Sequence, residues 1–227
     1  MLNKVIDSRQ SAFLEERGLM DNVLVANEVL EKVKRKKAGC IFFKVDYEKA
    51  YDSVCWDFLY YMMDRLGFCK KWISWIRSCL ESATVFVLVN GSPTKKFSLK
   101  KGLRQGDPLA PFLFLIAVEG LVGVSWKVAE KSLITEIKVR YKKDKVNMLQ
   151  YVDCTFFFCD ASIKSVYNLR VLLNYFELAS EMKVNFSKRR IERVGIAQNV
   201  ILPFVSILNC EVMKTLFKYL GMPVGGC

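Results

Sequence analysis

Two aspartates stand where a carboxylate contributes little to stability by itself. Asp46 closes the apolar run "CIFFKVD", and Asp153 sits among aromatics in "QYVDCTFFFCD". A carboxylate at the end of a buried strand needs a partner, because a lone buried charge is costly. Two such acids on neighbouring strands can meet that need by holding a divalent cation. Mg²⁺ prefers hard oxygen ligands, and ions held this way stabilise the attacking and leaving oxygens of phosphoryl transfer. The competing reading gives each aspartate a separate turn or cap role, since Asp is a favoured turn residue.

Composition narrows the chemistry. The 227 residues contain no histidine, which removes Ser-His-Asp and Cys-His nucleophiles, histidine metal sites and histidine proton shuttles. Lys and Arg number 35 against 23 acids, a net charge of +12 that suits a polyanion, nucleic acid first and an anionic membrane second. The eight cysteines form no C-x-x-C pair, so neither a zinc site nor a disulfide scaffold is expected; most read as reduced, small core residues of an intracellular protein. Asp7 and Arg9 interrupt the first apolar stretch, so no signal peptide is expected. Pro108 to Trp126 is apolar enough to raise a transmembrane question, but Pro108, Pro111, Glu119 and two glycines favour a buried core helix. The uncharged run from Val194 to Cys210 is broken by Gln198, Asn199, Pro203 and Asn209.

The elements that must position the two acids follow from periodicity. Val23, Ala26, Leu30 and Val33 recur at helical spacing, with Asp21 as the expected cap and cations at the helix end. "CIFFKVD" is a buried strand ending at Asp46. Ser53 is the expected cap of a helix over "WDFLYYMMDRL" that stops at Gly67, and "KKWISWIRSCL" is a second helix. Asn90-Gly91 between β-rich runs is a strong hairpin signal. "EIKVRYKKDKVNMLQYVD" predicts another hairpin turning at Lys143-Asp144, followed by the hairpin that carries Asp153. Ser162 to Met182 is helical, with Val166, Leu169, Leu173, Phe176 and Ala179 facing inward and Asn174 and Glu177 turned away. "LFKYLGMPVGG" is a last strand-like piece. With no repeats or linkers, one mixed α/β unit is expected.

Six segments carry a family resemblance: "SAFLEERGLMDNVLVANEVL", "FKVDYEKAYDSV", "VLVNGSPTKKFSLKKGLRQGDPLAPFLFLIAVEGL", "QYVDC", "KVNFSK" and "FKYLGMPVGG". Their order resembles that of the reverse transcriptases of plant LINE-type (non-LTR) retrotransposons over nearly the whole chain. The "GLRQGDPLAPFLF" string is highly specific. The resemblance implies an α/β (α+β) right-hand polymerase palm with partial fingers and an incomplete thumb: about 1–40 partial fingers, about 41–227 palm with inserted fingers elements. It implies an RNA-directed DNA polymerase working by a two-metal mechanism with Mg²⁺ (or Mn²⁺), on an RNA template, a DNA primer and deoxynucleoside triphosphates. Asp46 and Asp153 match metal-binding aspartates, and the Tyr47 carbonyl would help hold the ion. Tyr51 matches the aromatic that excludes a nucleotide 2′-hydroxyl. Arg104, Gln105 and Gly106 fall in the loop contacting template and incoming nucleotide, and Lys188 would give a proton to the leaving pyrophosphate. The basic clusters Lys95, Lys96, Lys100, Lys101 and Arg104, with Arg140, Lys142, Lys143 and Lys145, are expected to contact phosphates.

The sequence also departs from that pattern. The family's second turn aspartate is Cys154, a soft ligand that is mostly neutral at pH 7. The usual glycine of "G-[LM]-K-V-N" is Glu181. Against that pattern the chain is expected to start inside the fingers and to end before a full thumb, without an endonuclease domain. A decayed fragment of low or no activity is therefore expected, and a catalytically inactive nucleic-acid-binding remnant is the alternative. The expected site is nuclear or cytoplasmic, without membrane insertion; a membrane-associated protein through the apolar helix is a third, lesser reading.

Overall fold

Residues 2–37, 39–140, 145–185, 188–196, 198–213, 218–219 and 221–224 are described in a computed structural model of the chain. In chain order the elements begin with α1 (Leu2–Val5), α2 (Leu19–Lys36), β1 (Cys40–Val45), α3 (Trp56–Arg65) and α4 (Lys70–Glu81). Four short strands follow, β2 (Thr84–Val85), β3 (Leu88–Val89), β4 (Ser92–Pro93) and β5 (Phe97–Ser98), then α5 (Ala110–Glu130). The remainder is β6 (Ile137–Lys138), β7 (Lys145–Val146), β8 (Met148–Tyr151), β9 (Cys154–Asp160), α6 (Ile163–Ser180), β10 (Arg190–Val194), α7 (Gln198–Leu208), β11 (Glu211–Val212), β12 (Lys218–Tyr219) and β13 (Met222–Pro223).

β1 is buried on both faces, so its near-continuous apolar run places it in the middle of the main sheet, ordered β11-β10-β1-β9-β8. Its pairings with β10 and β9 are antiparallel, while β10 and β11 run parallel. Alternation divides the side chains between two cores. Ile41, Phe43, Val45, Phe157 and Cys159 join the larger core with α3, α5 and α6. Cys40, Phe42, Leu149, Cys154, Phe156 and Phe158 join the other, covered by α2 and Tyr219. α5 is the one described helix long and apolar enough to cross a membrane, and here Leu113 to Val118 are buried between neighbouring helices.

Several expectations shift by a residue or a role. Gly18 caps α2, while Asp21 is three residues further on and accepts the Gly18 N–H at 3.0 Å. Cys55 rather than Ser53 precedes α3, because the Ser53 hydroxyl donates back to the Ala50 carbonyl instead. The apolar helix begins at Ala110, after Asp107 accepts the Leu109 N–H at 2.8 Å. On α6, Ala179 is exposed and Leu172 is buried. Glu177 is not turned away: it accepts the Val184 N–H at 2.6 Å and pairs with Arg189 at 3.4 Å. Residues 198–208 form a helix despite Pro203, since a helical apolar face outweighs the breakers once α6 packs against it. Of the seven described cysteines, all free, only Cys40, Cys154 and Cys159 are buried, and Cys69 and Cys79 are exposed. The Asn90-Gly91 turn holds, both residues taking positive φ between β3 and β4. The Lys143-Asp144 turn, Lys142 and Cys227 lie outside the described residues.

Glu119 on α5 is a strongly perturbed acid. Burial, then the charge of Asp7, push its carboxyl up to about 8, although its side chain accepts the Asp7 N–H at 3.2 Å. An acid that keeps its proton better when folded contributes stability below its unfolded value and loses it as pH rises towards 8. Glu119→Gln should therefore remove an alkaline loss of stability on the order of 3 kcal/mol. Urea denaturation at pH 5 and pH 9 checks it: wild type and variant should diverge only at the higher pH.

Candidate active site

The register of the sheet brings the acids together. Val45 pairs with Thr155, so Asp46, the next residue along, lies level with Cys154 and the hairpin turn of Val152 and Asp153. Asp46 is almost fully buried, and its carboxylate pairs with Lys44 at 3.4 Å. Burial first, and then the Asp46 charge, drive the Cys154 thiol far above its ordinary value, so it is a neutral thiol, not a thiolate. Burial also raises the Asp153 carboxyl, with Asp46 adding to the rise and Lys188 and Lys44 opposing it. These five side chains therefore share one electrostatic site.

Two further segments frame it. Backbone bonds from Asn185 N–H to the Asp46 carbonyl (2.8 Å) and from Glu48 N–H to the Lys183 carbonyl (2.8 Å) lay residues 183–185 alongside Asp46–Glu48. That pairing delivers exposed Lys188 to the Asp153 side. It follows α6, whose cap, Glu181, takes a left-handed φ of +59°, the conformation for which glycine is the ordinary residue. On the other side Tyr51 stacks on Phe114 of α5 with centroids 4.9 Å apart, and burial and then Asp153 raise its phenol. Tyr47 points instead into the larger core against Phe176, leaving only its backbone for any ligand.

The loop from Gly102 to Asp107 is fastened to the turn after Tyr51. Leu103 N–H donates to the Tyr51 carbonyl (2.7 Å), Gly102 N–H to the Val54 carbonyl (2.8 Å), and the Trp56 indole N–H to the Gly102 carbonyl (2.7 Å). Gly102 and Trp56 escaped the sequence reading. A glycine ahead of a charged loop was the available signal, but the backbone it abuts, that of Asp52, is 50 residues away and only the fold reveals it. Beyond this staple Arg104, Gln105 and Gly106 are exposed, and Gly106 has φ +85° with open space around it. Lys95, Lys96, Lys100, Lys101, Arg140 and Lys145 are exposed too, with Lys101 pairing Glu181 at 3.7 Å.

Among the described residues no three His, Cys, Asp or Glu side chains form a group that could hold a metal ion. Two coupled carboxylates remain, and they fit a hard cation that completes its shell with substrate phosphates and water, as Mg²⁺ commonly does.

The family described as "Reverse transcriptase (RNA-dependent DNA polymerase)" matches residues 1–224. The chain belongs to the reverse transcriptase family. One relative is the retrovirus-related Pol polyprotein from type-1 retrotransposable element R2 of Popillia japonica, 24% identical over 93% of this chain and 30% of that protein. Another is the uncharacterized mitochondrial protein AtMg01250 of Arabidopsis thaliana, 35% identical over 30% of this chain and 56% of that one. Among solved structures, the telomerase of Candida tropicalis in complex with the TWJ fragment of telomeric RNA superposes with a TM-score of 0.63. At 17% identity it covers 85% of this chain and 32% of its own, and it shows that this reverse transcriptase has the telomerase polymerase fold. The chain thus spans less than two thirds of each relative's length.

Proposed function

We propose that this reverse transcriptase domain performs, or descends from a domain that performed, RNA-directed DNA synthesis with Mg²⁺ or Mn²⁺. Its partners are an RNA template, a DNA primer and deoxynucleoside triphosphates. The observation that carries the reading is the alignment of Asp46 with the Asp153 turn, with Tyr51 and Lys188 at its sides. Bound divalent ions would supply Lewis-acid stabilisation of the attacking and leaving oxygens, the two-metal arrangement. Asp46, Asp153 and the Tyr47 carbonyl would hold them. The primer 3′-hydroxyl would lose its proton to solvent as its oxygen bonds the α-phosphorus, the bond from that phosphorus to the bridging oxygen would break, and Lys188 would give the departing pyrophosphate a proton. Tyr51 excludes a 2′-hydroxyl, and Arg104, Gln105 and Gly106 hold template and nucleotide. In this reading residues about 1–40 are partial fingers and about 41–227 the palm. The motif string and the similarity to the Arabidopsis protein support a plant LINE-type source, and free cysteines support a reducing compartment, nucleus or cytoplasm.

A second reading, a binding remnant with little catalysis, is favoured by one feature. The Cys154 thiol is buried beside Asp46 and is driven far above its ordinary value, so a neutral soft group stands where a third hard ligand would be needed. Primer extension on an RNA template separates the two. Polymerisation with either metal should fall by about 10³-fold or more in Asp46→Asn, as expected for losing a charge-stabilising group. Extension unaffected by Asp46→Asn would sink the catalytic assignment.

A further inference from the structure

Tyr151 pairs with Cys154, so β8 and β9 are joined by only two residues, Val152 and Asp153. Val152 has φ +54°. A β-branched residue in the left-handed region is an outlier and persists only where its surroundings over-determine it. The side chain that does so comes from 142 residues away. Gln10 is 1% exposed; its Oε1 accepts the Val152 N–H at 3.2 Å, and its Nε2 donates to the Val152 carbonyl at 3.5 Å. Both backbone polar groups of the strained residue therefore end on one amide.

That amide is itself held. Oε1 also accepts the Ala12 N–H at 3.0 Å, so two converging N–H donors fix which end of the amide is oxygen. The segment around Gln10 runs as a short parallel bridge beside Gln150, with Gln150 N–H donating to the Arg9 carbonyl (2.9 Å) and Ser11 N–H to the Gln150 carbonyl (3.2 Å). Arg17 gathers the carbonyls of Asn3, Ile6, Asp7 and Gln10 at distances from 2.6 to 3.1 Å. Asn22 donates to the Gln150 carbonyl at 2.8 Å and accepts the Ser11 hydroxyl at 2.7 Å.

We propose that Gln10 is a positioning residue, holding Val152 left-handed and thereby aiming Asp153 at Asp46. Its catalytic consequence rests on the polymerase reading above; its conformational one does not. A residue that merely glues the N-terminal segment to the sheet would lack one property: dependence on the backbone preference of residue 152. Glycine takes positive φ without steric cost, so Val152→Gly should make the clamp unnecessary.

The test compares wild type, Gln10→Leu and Gln10→Leu/Val152→Gly by two readouts. The first is the iodoacetamide alkylation rate of Cys154, mapped by peptide mass spectrometry, with buried Cys159 of the same strand as internal control. Gln10→Leu should raise the Cys154 rate about tenfold, equivalent to about 1.4 kcal/mol, leave Cys159 unchanged, and return to the wild-type rate in the double variant. The second is primer extension, where kcat should fall about tenfold (the same 1.4 kcal/mol) with the nucleotide KM unchanged, and recover in the double variant. An unchanged Cys154 rate, an equal rise at Cys159, or no recovery with Val152→Gly overturns the role of Gln10. If wild type extends no primer, the polymerase reading fails alone, and alkylation still decides the clamp.

Discussion

Gly102→Ala should lower the unfolding free energy by about 3 kcal/mol, or about 6–12 °C in melting temperature for a domain of this size. A Cβ at residue 102 would meet the Asp52 carbonyl oxygen at 2.7 Å and the Asp52 Cα at 3.1 Å, and φ there is +89°. Neither backbone can give way easily. The Gly102 and Leu103 N–H groups and the Gly102 carbonyl are all engaged with the Tyr51–Trp56 stretch. Gly106→Ala is the matched control, with a similar φ of +85° but nothing near the added carbon. It should cost only the left-handed preference, about 1 kcal/mol. Thermal melts of both variants check the contrast; equal shifts would show that the Asp52 contact does not constrain the loop. Because this staple joins Tyr51 to Arg104–Gly106, its loss should displace both together.

Cys154→Asp should make the fold depend on a divalent ion. Cys154 is 3% exposed and level with Asp46 in the sheet, so a carboxylate there would stand buried beside Asp46 and Asp153, opposed only in part by Lys44 and Lys188. Without metal the cost is about 3 kcal/mol, the usual penalty of an uncompensated buried charge. With Mg²⁺ the third carboxylate becomes a hard ligand, and affinity should rise about tenfold or more over wild type. Ion binding to the folded state alone then stabilises it by mass action, so the melting temperature of the variant should climb with Mg²⁺ more steeply than that of wild type. Any polymerase activity should rise as well. Isothermal titration giving the same Mg²⁺ affinity for both folded proteins would show that position 154 is not a ligand position.

The sequence by itself determined the elements with strong local signals. "CIFFKV" is a buried strand because five of its six residues, all but Lys44, suit a two-faced interior, and Asn90-Gly91 is a turn because both residues tolerate positive φ. Asp46 and Asp153 stood out because an acid beside an apolar run needs a partner, and the structure gives Asp46 a local one in Lys44. The roles of Asp21 and Ser53 were not decided locally, since a one-residue shift in where a helix starts changes which side chain meets a free N–H. Glu177 was misread for a different reason: helical periodicity reports a helix's own face, whereas the donors it serves, Val184 and Arg189, arrive from the next segment. Only the tertiary structure decided that Asp46 lies level with the Asp153 turn, because register is set by the whole β1–β9 pairing. Only it decided, too, that a strained valine is held by Gln10 and that Gly102 abuts Asp52. Contacts between residues 50 or 142 positions apart leave no periodicity in a chain; they exist only once burial of the two cores has fixed where each backbone runs.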